Sequence, residues 1–392
     1  MHHQNTVFSE LLNHIPRDRF KKIVAAHDGD KHIRTLDSWT HMTSLIYAQF
    51  QGNTSLRDIQ STLSSHNNLT YHLGIKKVCR STLSDANTRR SPEIFTDVFS
   101  ILLGKLQEGS KRKKQYKELK TVLRLIDATP IGLGLCCRDW AQVSDQYIAA
   151  KAHFIYDPDA NIPVYFSITN GKAHDLFLTK NMSIEAGVTY VFDKGYYDFS
   201  WWAKLDQKGC RFVTRLKRNA QAEVVKINVP TGENIVGDQL IRFTKQRMKV
   251  RHNPLEGKVL REIQVQRENG EILRLITNDL VSPAIIIADL YKRRWAIELF
   301  FKWVKQNLKI KKFLGMSENA VKIQIIIAMI AFLLVQLVNQ DLPKIQNMTA
   351  LTRLVAANIM QRKTCLEMLE PPPEPLKLQD EKYQLVMNFE AC

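Results

Sequence analysis

The sequence lacks the cysteine and histidine patterns that mark disulfide-rich and zinc-binding proteins. Its six cysteines form no C-x-x-C pair, and its eleven histidines are scattered rather than grouped at finger-like spacing. These absences argue against a disulfide framework and against a structural zinc site. Reduced thiols in the cytoplasm are therefore the simplest expectation.

Segments for export or membrane insertion are also missing. Residues 1–16 have no apolar stretch of the kind found in a signal peptide. The most apolar run, 323–338, is shorter than the ~20 residues that span a bilayer, and Gln324 and Gln336 interrupt it. We therefore expect a buried core helix there, in a soluble protein with no membrane partner.

Negative charge is scarce relative to positive charge. Lys and Arg number 56 while Asp and Glu number 39, which gives a net charge of +17 and a pI near 9.5. Such an excess attracts polyanions, of which nucleic acid is the commonest large one. Charge alone leaves open a merely basic surface or binding to anionic lipid. The 392 residues, 44% apolar and 24% charged, suffice for two or three globular domains.

Residues 1–110 have the pattern of an all-α N-terminal domain, because apolar positions recur at helical spacing. Two short helix candidates, 55–64 and 81–90, flank a polar stretch, as in a helix-turn-helix DNA reader. Contact of Arg89 and Arg90 with DNA is the resulting hypothesis. An ordinary pair of packed helices has the same pattern and remains an alternative.

Strand and helix patterns alternate in the next part of the chain, after a basic segment at 105–120 that suits a linker crossing DNA or a solvated helix face. This alternation predicts a mixed α/β sheet with helices packed on it. The predicted strands are 122–126, 149–156, 162–168, 188–192 and 211–216, and a helix is predicted at 199–207.

A β-rich insertion is predicted after residue 220, where the helical period disappears. Asn269-Gly270 is a strong hairpin signal between strands at 259–266 and 272–276. Helical periodicity then returns, and a proline-rich segment at 371–375 marks the end of compact structure. The predicted division of the chain is 1–110, 111–220, 221–280, 281–345 and 346–392.

Two aspartates follow buried apolar strands. Asp127 follows the strand at 122–126, and Asp193 follows the strand at 188–192. A charge in such a place must be solvated, paired or bound to a metal, and two close carboxylates repel unless a cation lies between them. Their hard oxygen ligands suit magnesium or manganese. For either aspartate alone, capping of the following turn is the more ordinary explanation.

Glu298 stands alone among cations. The segment 291–312 contains eight Lys and Arg residues and this single acid. On one helix Glu298 would lie in a stripe ~80° wide that borders the apolar face. The stripe also contains Tyr291, Arg294, Lys302, Lys305 and Lys309. A salt-bridged surface would need several acids, so an acid that holds metal beside cations that hold phosphates fits better.

These residues resemble a known family. The signature of the insertion-sequence-four family of bacterial DDE transposases is Y-x2-R-x3-E-x6-K, which this chain matches at Tyr291, Arg294, Glu298 and Lys305. The segments 125–133 and 191–199 also resemble the family's first-aspartate and second-aspartate blocks. The resemblance covers about residues 1–340 and is most specific at 291–305.

The resemblance implies an RNase H-like (retroviral-integrase-type) core in which Asp127, Asp193 and Glu298 are catalytic and bind a pair of magnesium ions, with manganese as a substitute. It further implies a DNA transposase that nicks the 3′ end of the element, forms a hairpin and transfers the strand to target DNA. The implied partners are double-stranded terminal repeats, target DNA and a second copy of the chain in the synaptic complex.

The resemblance also implies roles for the flanking residues. Tyr291 and Arg294 would contact terminal phosphates near a flipped base, and Tyr291 would not act as a nucleophile. Lys305 would hold a phosphate, with help from Lys302. Trp295 would stack on an extruded base or belong to the core. The loop carrying His174 and Asp175 is expected at most beside the site.

Two other functions remain open at this stage. One is a descendant that binds DNA without cutting it, against which the intact carboxylates argue. The other is an RNase H-like nuclease that acts on other nucleic acids. The stripe of tyrosine, arginine and lysine argues against simple hydrolysis, which needs only the carboxylates.

Overall fold

The computed structural model describes residues 5–110, 121–220, 222–244, 253–307, 313–344 and 346–369. Most of the predicted basic segment, Lys309 and the proline-rich part of the tail lie outside these ranges. The statements below concern the described residues.

The N-terminal part is all helical, as predicted. Its helices are α1 (Val7–Asn13), α2 (Arg17–Ala26), α3 (Ser38–Gln51), α4 (Leu56–Ser65), α5 (Asn67–His72), α6 (Arg80–Arg89) and α7 (Glu93–Ser110). Local capping sets several boundaries, since Asp37 accepts a bond from the Thr40 amide and Ser55 accepts one from Asp58. The predicted pair at 55–64 and 81–90 corresponds to α4 and α6, with the short α5 between them.

A mixed sheet forms the centre of the protein. Its first strands are β1 (Leu123–Gly132), β2 (Ala149–Asp157), β3 (Ile162–Asn170), β4 (Thr189–Phe192) and β5 (Arg211–Arg215). The strands β1, β2 and β3 are antiparallel neighbours, whereas β4 lies parallel to β1 and β5 parallel to β4. The order β3-β2-β1-β4-β5 is that of an RNase H-like fold.

The first predicted strand end was wrong. Asp127 lies in the middle of β1 rather than after its end, because the strand stays paired with β2 as far as Gly132. Asp127 itself is opposite Phe154. Asp193, in contrast, directly follows the last residue of β4, as predicted.

The β-rich insertion extends the same sheet. Its strands are β6 (Glu223–Ile227), β7 (Ile235–Arg242), β8 (Val259–Gln266) and β9 (Ile272–Thr277). The antiparallel pairing of β9 with β5 joins them to the core strands in one continuous nine-stranded sheet. Gly270 has a φ of 79° in the predicted hairpin turn between β8 and β9, a conformation that favours glycine.

The remaining helices cover both faces of the sheet. They are α8 (Arg138–Ala141), α9 (Leu176–Asn181), α10 (Phe199–Gln207), α11 (Ala284–Arg293), α12 (Trp295–Asn307), α13 (Glu318–Asp341) and α14 (Met348–Asn358). Helices α12 and α13 belong to the larger apolar core with the N-terminal helices, and α10 packs on the opposite face. The prediction of one continuous helix through Tyr291 and Glu298 was wrong, since α11 ends at Arg293 and α12 begins at Trp295. The Arg294 amide bonds to the Tyr291 carbonyl three residues back, which tightens the chain there.

Helix α13 contains the apolar run found in the sequence. By length and composition it could cross a membrane, yet 89% of its most apolar 18-residue window is buried within the protein. It packs against α3, α6, α7 and α14. The structure therefore accounts for this run as a core helix.

Candidate active site

The sheet brings the two aspartates together. In the parallel pair of β1 and β4, Ile126 is opposite Phe192, so the next residues, Asp127 and Asp193, lie side by side. Neighbouring strands are about 4.8 Å apart, which places the two carboxylates close together. Strand pairing thus brings together the first two of the three predicted carboxylates.

Packing of α12 supplies the third carboxylate. Phe300 lies 5.5 Å from the Phe154 ring and 4.9 Å from the Tyr156 ring, measured between centroids. Because Phe154 is opposite Asp127 on the adjacent strand, this aromatic contact holds α12 against the part of the sheet that carries the aspartates. Glu298, in the first turn of α12, consequently reaches the same region.

Arg294 and Tyr291 donate hydrogen bonds to the three carboxylates. The Arg294 guanidinium donates to Oδ2 of Asp127 at 3.1 Å and to Oε1 of Glu298 at 2.5 Å. The Tyr291 hydroxyl donates to Oδ1 of Asp193 at 3.2 Å. Five residues singled out in the sequence thus form two hydrogen-bonded sets, Asp127 with Arg294 and Glu298, and Asp193 with Tyr291. They come from β1, from the residue after β4 and from the segment of α11 and α12.

Burial shifts the pKa values of Asp127 and Tyr291. It raises the pKa of Asp127 to about 6, and the charges of Asp193 and Glu298 act in the same direction, while the Ala128 amide and Arg294 oppose them. The pKa of the Tyr291 hydroxyl is raised by burial first and by Asp193 second. Tyr291 therefore stays protonated near neutral pH and acts as a hydrogen-bond donor.

The donor set suits a hard divalent cation, although the carboxylates are not yet arranged as its ligands. In the described part of the chain, no three His, Cys, Asp or Glu side chains are grouped closely enough to hold a metal ion. The guanidinium of Arg294 instead provides the positive charge between Asp127 and Glu298. Carboxylate oxygens that already gather around a cation fit magnesium or manganese on chemical grounds.

The other predicted DNA contacts surround the site to different degrees. Trp295 is 58% exposed and does not belong to the core, while Lys302 is exposed. Lys305 is half-buried, and burial lowers its pKa. A cavity of about 600 Å³ beside the carboxylates is lined by Tyr291, Arg294, Trp295 and the β8–β9 hairpin.

The two predicted contacts on the N-terminal helices differ from each other. Arg89 is exposed, so its contact with DNA stays a prediction. Arg90 is not available to DNA, because only 3% of its side chain is accessible and its guanidinium donates to the Leu36 carbonyl and pairs with Asp30. The predicted DNA contact of Arg90 is therefore corrected, and the side chain has a structural role instead.

Sequence reasoning named Asp175 but missed its partner Lys151 and the nearby Tyr196. Lys151 forms an ion pair with Asp175 at 2.6 Å, and a Cβ at Gly195 would lie 2.8 Å from Oδ2 of Asp175. The Tyr196 hydroxyl is buried without a hydrogen-bond partner among the described residues. Burial raises its pKa, and so do the charges of Asp127, Asp175 and Asp193. The sequence signals for this region were the block at 191–199 and the loop that carries Asp175.

Comparisons with known proteins identify the family of the chain. Residues 118–334 match the family model described as transposase DDE domain, and residues 3–76 match a domain of unknown function (DUF4372). The chain is 37% identical to "Putative transposase y4zB" of Sinorhizobium fredii (strain NBRC 101917 / NGR234), across 74% of this chain and 80% of that protein. It is 28% identical to "Probable transposase for insertion sequence element IS5377" of Geobacillus stearothermophilus, across 67% and 68%.

Two further matches have lower sequence identity. "Putative transposase for insertion sequence element IS4SA" of Synechocystis sp. (strain ATCC 27184 / PCC 6803 / Kazusa) is 27% identical, across 70% of this chain and 75% of that protein. A solved piggyBac transposase synaptic complex with hairpin DNA aligns with a TM-score of 0.47 and 11% identity, across 94% of this chain and 83% of that chain. The family model and the relatives show that the chain belongs to the insertion-sequence-four family of DDE transposases.

Proposed function

We propose that this protein is an active transposase in which Asp127, Asp193 and Glu298 hold the divalent cations that cleave and rejoin DNA. Membership of the family implies DNA cleavage and transfer in general terms. The observation that carries the specific assignment is the convergence of these carboxylates from β1, the end of β4 and α12 on two residues of the family signature.

The residues of the chain have distinct tasks in this proposal. When bound, magnesium would activate the attacking oxygen and stabilise the leaving oxygen at the phosphorus. Asp127 and Asp193 are positioned by the paired strands and Glu298 by the packing of α12 on Phe154. Tyr291 orients Asp193 through its hydroxyl and forms no covalent link to DNA.

The proposed reaction alternates hydrolysis with transesterification. Water attacks the phosphorus at the element's end, and the 3′ oxygen leaves as a free 3′-hydroxyl. That hydroxyl attacks the opposite strand, which forms a hairpin and releases the flanking DNA. A second water reopens the hairpin, and the regenerated 3′-hydroxyl attacks target DNA. None of these steps needs a nucleotide cofactor, because each bond that breaks is replaced by one that forms.

The surface around the site suits a DNA end. Trp295 offers an exposed aromatic ring for stacking, and Lys302 and Lys305 offer cations for phosphates. Arg89 would contribute from α6, and the net charge of +17 favours binding along a longer stretch of duplex. Two copies on paired ends, as the resemblance implies, complete the proposal.

The decisive experiment combines the purified protein with a DNA fragment that carries the element's end, in magnesium or in EDTA. We expect magnesium-dependent 3′-end nicks and hairpins. Shifted but uncut DNA would instead indicate a derivative that only binds, and equal degradation of unrelated DNA or RNA would indicate a general nuclease.

Charge-neutral variants assign the residues. We expect Asp127→Asn, Asp193→Asn and Glu298→Gln each to abolish detectable cleavage while DNA binding persists, because each removes a metal ligand and leaves the shape of the side chain. Glu318→Gln in the first turn of α13 is the matched control and should cleave normally. Cleavage that survives in one of the three variants would remove that residue from the metal site.

A further inference from the structure

Arg294 occupies the place where a metal ion is expected. Its guanidinium lies between Asp127 and Glu298, with donor–acceptor distances of 3.1 Å and 2.5 Å. The contact with Glu298 is shorter than the usual charge-assisted hydrogen bond, and the contact with Asp127 lies within the range of ordinary N–H···O bonds. Only 15% of the Arg294 side chain is exposed. The two carboxylates are thereby held together by a cation that belongs to the protein.

A bound divalent cation and this guanidinium would compete for the same oxygens. Metal coordination by Asp127 and Glu298 uses the lone pairs to which Arg294 now donates. Positive charges a few ångströms apart in a partly buried site also repel strongly. Competition for these oxygens and charge repulsion both favour the release of at least one carboxylate by Arg294 when the metal binds.

The surroundings give the released side chain a destination. Nε of Arg294 is buried and, within the described ranges, has no hydrogen-bond partner, so the present position does not satisfy the whole guanidinium. The adjacent cavity of about 600 Å³ is lined by Arg294 itself and by Trp295. The exposed ring of Trp295 offers a surface on which a guanidinium can stack.

We propose that Arg294 is an exchangeable counter-ion: it holds Asp127 and Glu298 in place before metal binds, and metal binding displaces it toward the cavity, where it meets a DNA phosphate. This inference rests on the proposed function of the three carboxylates. It makes Arg294 a positioning residue that couples the loading of metal to the binding of the DNA end, since each event favours the other.

Manganese binding tests the exchange. Free Mn²⁺ is measured by electron paramagnetic resonance during titration of the wild type, Arg294→Gln, Arg294→Lys and the matched control Arg293→Gln, whose arginine pairs with Asp159 on the neighbouring surface. We expect Arg294→Gln to bind Mn²⁺ about tenfold more tightly, within the usual range of coupling between competing ligands. Arg294→Lys and Arg293→Gln should stay close to the wild type. Unchanged or weaker binding by Arg294→Gln would overturn the exchange, because a purely structural arginine predicts that result.

Ligand variants separate this failure from failure of the proposed function. Asp127→Asn and Glu298→Gln should lose Mn²⁺ binding. If they do so while Arg294→Gln gains nothing, the metal site stands and only the exchange is wrong. If they bind Mn²⁺ as the wild type does, the proposed site and the exchange are both wrong.

Chemical modification of the wild type gives an answer that does not depend on variants folding. The protein is treated with phenylglyoxal with and without Mn²⁺, and modified arginines are quantified by mass spectrometry. We expect modification of Arg294 to rise severalfold with Mn²⁺, while the buried Arg90, with 3% of its side chain accessible, stays protected in both conditions. Equal modification of Arg294 with and without Mn²⁺ would overturn the proposal.

Discussion

At the scale of single residues, Tyr291 has two roles: its ring packs in the apolar core, and its hydroxyl donates a hydrogen bond to Asp193. Its ring is 7% exposed and belongs to the larger apolar core, whereas its hydroxyl reaches Asp193. Replacement by phenylalanine would keep the packing and remove only the donor. The variant therefore isolates the orientation of Asp193 from the stability of the fold.

We expect Tyr291→Phe to slow single-turnover nicking about tenfold, the lower end of what the loss of a supporting hydrogen bond costs at a metal site. The effect should be smaller than that of Asp193→Asn, because the carboxylate remains present. Affinity for the DNA end, measured by mobility shift, should be unchanged. The exposed Tyr147→Phe is the control, and a normal nicking rate in Tyr291→Phe would exclude the orienting role.

A second residue-scale feature is the buried His41. It is fully buried beside Asn87, at 2.8 Å, and burial lowers its pKa from 6.5 to about 3, helped by the charge of Arg90. The folded protein thus keeps His41 neutral, while the unfolded chain takes up a proton as the pH falls below 6.5. Its contribution to stability is complete above pH 6.5 and is lost progressively toward pH 3.

Acidification from pH 7 to pH 5 should therefore lower the free energy of unfolding by about 2 kcal/mol through His41 alone. His153, whose pKa burial lowers to about 4, contributes in the same direction. We expect His41→Gln to lose less stability than the wild type over this range in thermal or urea unfolding. The exposed His72→Gln is the control, and an identical pH dependence in His41→Gln would contradict the assignment.

At the scale of elements, the sequence pattern correctly predicted those helices and strands whose ends are set by neighbouring residues. The predicted helix at 199–207 and strand at 259–266 coincide with α10 and β8, because turn residues and clear periodicity bound them. The end of β1 was missed, since its last residues are strand only through pairing with β2. The joining of β9 to β5 likewise depends on distant partners, whereas the break at Arg294 is a local tightening that the apolar periodicity did not reveal. The signature singled out the candidate residues but not the salt bridges of Arg294.

The loop after β4 yields an element-scale prediction. A Cβ at Gly195 would lie 2.8 Å from Oδ2 of Asp175, which Lys151 holds in place at 2.6 Å. We expect Gly195→Ala to cost about 1–3 kcal/mol of stability, as overpacking does. Nicking should also slow, because the displaced loop begins at Asp193.

Shortening the opposing side chain provides the check. In the double variant Gly195→Ala/Asp175→Ala, the new methyl group has room, so thermal stability and nicking should be better than the sum of the single effects predicts. Asp175→Ala alone supplies the reference. Purely additive effects would show that contact with Asp175 is not what requires glycine at position 195.

At the scale of the whole molecule, the N-terminal helices and the catalytic sheet share one apolar core. Helix α13 packs against α7 and α3, and the Phe99 ring of α7 lies 4.8 Å from the Phe166 ring of β3. Asn319 of α13 also donates to the backbone carbonyls of Asn87 and Arg90. The sequence pattern predicted helices before the sheet, but periodicity within each element gives no information on whether two regions share a core.

This shared core predicts that the catalytic region does not fold alone. A fragment of residues 118–345 would leave the apolar faces of α13 without α3, α6 and α7, and a large exposed apolar surface drives aggregation. We expect the fragment to be insoluble or to elute as aggregates, whereas the full chain should unfold in one cooperative thermal transition. Co-expression of residues 1–110 should restore soluble material by covering α13 again. A soluble monomeric fragment with cooperative unfolding would show that the N-terminal helices are a separable module, and α6 could then move independently of the carboxylates when DNA binds.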